Sequence, residues 1–402
     1  FRCRAPLAAG EEETAHAAPG YPVLLAALQM LPVDVSERTV RWIQCVLGTL
    51  TAGFYFLFAR RAFRHRIIGA LTGFLCAVHP FWIVNTAEIN DGILATFLLA
   101  ACIGLGARGS QSGGALTSLL YGLGLASLAL VRAATLPFAF IALLWFLLRC
   151  RSVSRGWLCA VLAVLGFVNG LAPWTLRNYQ VFGEWVPIVD SAPYHLCVGR
   201  YFPRMASEIK DEELLKQLAG SGKKDQQTAA ADLAQMNQVE RYRTLGRATW
   251  ENIQQDIGGE MKRRIGAGLS FFVGGDGADD TKARSADEPR DWWQQNYAAF
   301  LYGSLFGMLL LGVLGWRWTF GWRRQSMPAS LAVMWITLPY ILTHAEAWHG
   351  PRLPLDGIFL CYAAFAVVCL IPFQGGQLLS GPDPTDELSG RPDRLDRAAA
   401  WR

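Results

Sequence analysis

Charge is what this chain has least of. Lysine, arginine, aspartate and glutamate make up 17% of its 402 residues, whereas apolar types make up 52%. Soluble domains carry about a quarter charged residues. The apolar residues are also gathered into long runs, which indicates an integral membrane protein rather than a large soluble core. The net charge is only +5. No basic stripe with interleaved aromatics occurs, so nucleic acid is excluded as a partner.

Metal and redox spacing of cysteine is also missing. There are nine cysteines and no CxxC or Cys/His pattern. Cys45, Cys76, Cys102, Cys159, Cys361 and Cys369 fall inside apolar segments, and Cys150 at the edge of one, where they act as small hydrophobes. Cys3 and Cys197 lie in loops on one predicted side, where a disulfide is an option. Phe1 to Gly20 reads as neither a signal peptide nor a span, and the first residue is not Met. The expectation is a chain that begins inside a loop.

Nine apolar segments are present, at roughly 40–59, 67–84, 91–107, 115–131, 134–149, 157–175, 298–316, 329–344 and 355–373. Lys and Arg in the short loops orient them. One set of loops holds Arg60, Arg61, Arg64, Arg66, Arg108, Arg149, Arg151, Arg155, Arg317, Arg323 and Arg324. The opposite set holds only Arg132 and Arg352. The first set is therefore expected to be cytoplasmic and the second outer. This divides the chain into an N-terminal membrane part (1–176), an outer loop region (177–296), C-terminal membrane helices (297–373) and a polar tail (374–402) expected to be disordered. Within the loop region, about 210–254 has helical composition. Gly258 to Val273 places Lys262, Arg263 and Arg264 beside Ile265, Leu269, Phe271 and Phe272, the pattern of an interfacial helix.

Four outer-side clusters could carry chemistry. The first is Pro19-Gly20-Tyr21-Pro22, a rigid turn feeding a short helix. The second is Glu88 and Asp91, with no Lys or Arg between Arg66 and Arg108 to pair with them locally. Three residues apart on a helix, they would share a face. They read either as a site lining a wet cavity or as acids at a solvent-facing helix start. A carboxylate here could serve as a general base or hold a divalent metal. The third is Pro173-Trp174-Thr175-Leu176-Arg177-Asn178-Tyr179, where a span is expected to end in a kink. Arg177 there either grips a lipid phosphate or snorkels as an anchor. The fourth runs from His344 to Asp356 and includes Glu346, His349 and Arg352. Its histidines do not share one helix face, which argues against a metal, and Arg352 is a second phosphate candidate.

In this order and spacing the motifs resemble the bacterial GT-C-type membrane glycosyltransferases related to dolichyl-phosphate-mannose–protein mannosyltransferase and lipid A aminoarabinose transferase. The resemblance runs from Thr14 to about Leu370. It implies an all-α polytopic membrane protein, a GT-C-like bundle of about nine transmembrane helices with one large extracytoplasmic loop. It also implies inverting transfer of a sugar from a polyprenyl-phosphate donor to a glycan, lipid or protein acceptor at the outer face of the plasma membrane. Asp91 matches the family's second acidic position, with Glu88 beside it. Arg177 and Arg352 match basic positions suited to the donor phosphate, with Tyr21, Asn178 and His344 in support. The family's principal catalytic acid lies on an earlier loop, which would fall ahead of Phe1. This stretch alone is then expected to be inactive. A common Arg-Tyr-Arg run is reduced here to Pro351-Arg352. Two rival classes remain: a transporter or flippase of a lipid-linked substrate, which would usually show repeated halves, and a relative that kept the fold without the activity. The sugar, the acceptor and any divalent metal stay open.

Overall fold

The computed structural model describes residues 15–30, 36–151, 155–201, 236–273, 292–319, 323–343 and 351–371. Among these residues the secondary structure is helical throughout. The order is α1 (Gly20–Gln29), α2 (Glu37–Ala62), α3 (Arg66–Ala77), α4 (Pro80–Ala87), α5 (Gly92–Ser112), α6 (Ala115–Val131), a 3₁₀ turn (Ala133–Thr135), α7 (Leu136–Cys150), α8 (Gly156–Phe182), α9 (Ala192–Tyr201), α10 (Gln238–Gln255), α11 (Ile257–Val273), α12 (Trp292–Trp318), α13 (Arg323–Thr343) and α14 (Leu353–Cys369).

Among the described residues, five helical segments are long and apolar enough to cross a membrane: Glu37–Ala62, Gly92–Ser110, Ala133–Cys150, Gly156–Phe182 and Ser326–Thr343. The bent pair α3–α4 makes a sixth if it counts as one span. Their outward faces are apolar, as lipid contact requires. On α7, Phe140, Leu144 and Leu148 recur every four residues and are exposed. On α8, Val161, Leu165 and Val168, spaced four and then three apart, are exposed as well. The chain is therefore a polytopic helical membrane protein, and the described residues of the nine apolar segments are mainly helical. α6, Gly303–Trp318 of α12 and α14 are apolar but shorter.

Local chemistry sets the helix limits. Ser36 caps α2 by accepting from the Thr39 amide at 3.4 Å, with Glu37 in the first turn and Arg60 and Arg61 in the last. Each charge opposes the helix dipole at its own end. The segment at 67–84 is not one straight helix as the sequence suggests. It bends by 44° between α3 and α4. Pro80 lacks an amide hydrogen and pushes His79 into an extended conformation, so the helix must restart.

α14 is the centre of the bundle. Nearly all its residues are buried, as expected of a helix that is apolar all round. Tyr55 of α2 donates to the Pro354 carbonyl at 3.3 Å, and the Trp82 indole of α4 to the Leu353 carbonyl at 3.2 Å. Phe63 packs on Phe365 at 4.7 Å, and the Tyr362 hydroxyl lies 2.9 Å from that of Ser330 on α13. Small residues let α6 and α8 approach closely. A side chain at Gly122 would collide with the Ala163 carbonyl, and one at Gly166 with the Leu119 carbonyl. In lipid, such backbone contact is a main source of helix association.

An outer layer of α9, α10 and α11 covers one end. Asn237 and Glu240 form a reciprocal cap at the start of α10. Ala15, Val186 and Val239 make a small second core there, with Phe182 packed on it.

Substituting Gly122→Val should therefore lower the melting temperature in detergent by several degrees, because overpacking costs about 1–3 kcal/mol. Gly53→Ala, which meets no atom within 4 Å, should leave the melt unchanged in the same assay.

Candidate active site

A cavity of about 790 Å³ opens where the helix ends meet the outer layer. Its wall takes His16 and Tyr21 from the N-terminal turn, Asp91 from the α4–α5 break, and Arg132 and Pro137 from the α6–α7 turn. Ile188 and Ser191 follow α8, His195 comes from α9, and Tyr340 and Thr343 from the end of α13. The ends of α5 and α7 that reach the cavity lie opposite arginine-bearing ends, for α5 leads from Asp91 at its N-cap towards Arg108 and α7 from Pro137 in its first turn to Arg149 in its last.

The charged element of this wall is one ion pair. Arg132 donates through Nε to Asp91 Oδ2 at 2.6 Å and through Nη2 to Oδ1 at 3.0 Å. Arg132 also hydrogen-bonds Tyr340. This two-point pairing fixes the plane of the carboxylate. The Asp91 side chain keeps 33% exposure, whereas Arg132 keeps 9%. The acid therefore has a partner after all, supplied by a different helix. Nor do Glu88 and Asp91 share a helix face. They sit in the break between α4 and α5, because Asn90 Oδ1 accepts from the Gly92 amide at 2.8 Å and ends the turn. A side chain at Gly92 would collide with Asn85 and Asn90. Glu88 is exposed and accepts from Asn90 Nδ2 at 3.0 Å and Asn85 Nδ2 at 3.4 Å. It does not line the cavity.

Tyr21 reaches this break through Gln44 of α2. Its hydroxyl donates to Gln44 Oε1 at 2.8 Å, and Gln44 Nε2 donates to the carbonyls of Thr86 at 3.0 Å and Glu88 at 2.6 Å. Gly20 has no room for a side chain, since a Cβ would stand 2.6–2.9 Å from Val131 and the Leu130 carbonyl carbon. The Pro-Gly-Tyr-Pro turn thus presses against the residue preceding Arg132.

The Pro-Trp-Thr-Leu-Arg-Asn stretch does not end its helix. α8 runs through Pro173 to Phe182 and stops at Gly183 in the left-handed region. Three side chains beyond the proline hold the returning chain. Trp174 Nε1 donates to the Ile188 carbonyl at 2.8 Å and Thr175 Oγ1 to that of Pro187 at 2.9 Å. Asn178 Nδ2 donates to Val186 at 3.0 Å and Ile188 at 3.1 Å. Asn178 is fully buried and shapes the cavity wall from behind. Arg177 lies outside the cavity, 5.0 Å from the centroid of the Trp174 ring, with Nη1 donating to Asn178 Oδ1 at 3.1 Å.

Arg352 is also away from the cavity, although Pro351 lines it. Its side chain is 1% exposed and donates to Asp356 Oδ1 at 2.9 Å and to the Phe272 carbonyl at 2.9 Å. Asp356, in the first turn of α14, is thus the ion-pair partner of Arg352. His79 is buried beside it, Nε2 lying 3.9 Å from Asp356 Oδ2. His344, with Glu346 and His349, lies outside the described residues, and so does Cys3, while Cys197 is a free buried thiol. Among the described residues no group of three or more His, Cys, Asp or Glu side chains is placed to hold a metal ion.

The roof carries residues that sequence reading passed over. Tyr242 of α10 and His16 Nδ1 are 2.9 Å apart, and the His16 and His195 rings lie 5.8 Å apart. Burial lowers the pKa of His16. Behind them Asp190 accepts from Gln238 Nε2 at 2.9 Å, and burial raises its pKa to about 6. Arg132 had one visible signal: among the short outer turns it is one of two cations, facing two acids without local partners.

Two outcomes follow from these contacts. Asn178→Ala strands the carbonyls of Val186 and Ile188 and should destabilise the protein by about 2 kcal/mol or more in thermal unfolding. Asp190 binds its proton more tightly in the fold than at its ordinary 3.8. Its contribution to stability is therefore greatest below pH 4 and is lost as pH rises through about 6. Asp190→Asn should remove that part of the pH dependence when its melting curves are compared with those of the parent from pH 4 to 7.

No curated protein and no solved structure matches the chain. A family model does, over residues 16–174, roughly two fifths of the sequence. That stretch contains Tyr21, Glu88, Asp91 and Arg132 but not Arg177, Asn178 or Arg352. The matching family is described as dolichyl-phosphate-mannose-protein mannosyltransferase, and over this stretch the chain is similar to it.

Proposed function

We propose that the protein transfers a sugar from a polyprenyl-phosphate donor to an acceptor hydroxyl at the extracytoplasmic face of the plasma membrane. The observation that carries this reading is the Asp91–Arg132 pair in the wall of a large, mostly apolar cavity at the membrane boundary. A lipid-linked sugar phosphate needs an apolar approach, a cation for its phosphate and a carboxylate for the incoming hydroxyl. In the transfer, the acceptor oxygen forms the new bond to the anomeric carbon. The bond from that carbon to the phosphate oxygen breaks, and the phosphate leaves with the electron pair. A carboxylate takes the hydroxyl proton, and an arginine steadies the charge gathering on the phosphate.

Asp91 is the carboxylate that faces the cavity, and Arg132 is the cation beside it. Arg132 fixes the direction of the Asp91 oxygens. Asp91 in turn keeps a cation stable where lipid meets water, within reach of a phosphate. Glu88, exposed and bonded to Asn85 and Asn90, supports the turn that carries Asp91. Tyr21 and Asn178 support the same wall, Tyr21 through Gln44 and Asn178 through the 186–188 segment. Arg177 and Arg352 serve donor binding in this reading only by steadying helix ends, since their guanidinium groups are bound to Asn178 and Asp356. The outer orientation is supported by the arginine-rich turns at the opposite end of the bundle.

Introduced at the native gene, Asp91→Asn and Arg132→Gln should each lower sugar transfer by 100-fold or more, while the protein stays in the membrane at normal abundance. Glu88→Gln should lower it by less than tenfold. Transfer is read from membranes supplied with radiolabelled polyprenyl-phosphate sugar. Full activity in the Asp91 variant would overturn the assignment. Movement of the lipid-linked sugar without a covalent product would point to transport instead.

A further inference from the structure

α11 has two edges with opposite chemistry, and the cavity uses neither directly. The inner edge ties the helix to the end of α13. Arg264 donates through Nη1 to the carbonyls of Ile341 at 3.2 Å and Thr343 at 2.8 Å. Helix ends leave their last carbonyls without intrahelical donors, so one guanidinium serves two of them. Its Nε donates to Glu260 Oε1 at 2.6 Å, and Phe271 stacks on Tyr340 with ring centroids 5.7 Å apart.

Ser326–Thr343 of α13 is long and apolar enough to span the membrane. A helix bonded to its last turn is therefore held at the level where hydrocarbon gives way to headgroups. The other edge of α11 presents Ile257, Met261, Ile265 and Leu269, spaced four apart and 59–65% exposed. Four large apolar side chains in one row at that height have a ready solvent in the acyl chains. Lys262, next to this row and exposed, suits lipid phosphate. On α13 itself Leu338 and Leu342 are exposed in the same apolar manner. The row on α11 thus adjoins a helix whose own outer face meets lipid.

We infer that α11 lies along the outer lipid–water interface, with the Ile257–Met261–Ile265–Leu269 row resting on acyl chains. The helix then braces the Tyr340 and Thr343 wall of the cavity against the membrane surface. This placement rests on α13 crossing the membrane and is independent of which donor or acceptor the cavity takes.

The test is photo-crosslinking in native membranes. p-Benzoylphenylalanine placed at Ile265, at Leu269 and, as a control, at exposed Arg247 of α10 is irradiated, and adducts are identified by mass spectrometry. Phospholipid adducts at 265 and 269, at least tenfold above those at 247, are the expected result. Adducts to another protein at 265 and 269 would overturn the inference in favour of a partner surface. Equal lipid yields at all three positions, or none at any, would overturn it too. The probe is apolar, and these side chains are mostly exposed, so folding should persist. Gel filtration of each variant checks that it does.

Discussion

Two charges at the edge of hydrocarbon stabilise only if they meet, and the Asp91–Arg132 pair is where this chain arranges that meeting. Each charge alone would be costly at a membrane boundary. Together they lock the start of α5 to the end of α6, and the N-terminal turn packs against the same junction through Gly20. Tyr21, through Gln44, then fixes the break that carries Asp91. These helix ends meet at this contact and wall the cavity.

The motifs around the pair work mainly as carpentry. Trp174, Thr175 and Asn178 hold the chain after α8 by four donations to the carbonyls of Val186, Pro187 and Ile188. The proline at 173 weakens the helix locally, but the three side chains beyond it bind the helix to its own return. The Arg352–Asp356 pair has a similar standing at the base of α14. Buried with His79 close by, it pins the entry of the central helix to α11 through the Phe272 carbonyl. Such a pair specifies an arrangement more than it adds stability.

The proposed transfer from a lipid-linked sugar requires two joined environments, an apolar approach and a polar reacting centre. The architecture offers this combination at one end only. The spans end there, the outer layer roofs the opening, and His16, His195 and Tyr242 line or back the roof. The opposite end carries the arginine-rich turns.

Much of the fold was legible in the sequence, because hydrophobic run length is dictated by bilayer thickness and reads directly from composition. The nine apolar segments, the helical composition of the 238–254 stretch and the helix over 258–273 follow from local chemistry, whereas the break that carries Glu88 and Asp91 does not, for their spacing reads as one shared helix face. The bend at Pro80 also departs from the single span that the apolar run over 67–84 suggests. The identity of the partner to Asp91 was not legible either. Arg132 is 41 residues away, and only the packing of α5 against α6 brings the two within 2.6 Å. Likewise, a lone arginine beside a proline at a span's end does not show whether it lies at a helix surface, as Arg177 does, or in a dry interior, as Arg352 does. The sequence alone determined that this chain is helical and embedded, and which end bears its acids. Tertiary structure decided which of those charges face the cavity, because pairing between helices depends on where backbones can approach, and that is set by glycines and helix crossings far apart in the chain.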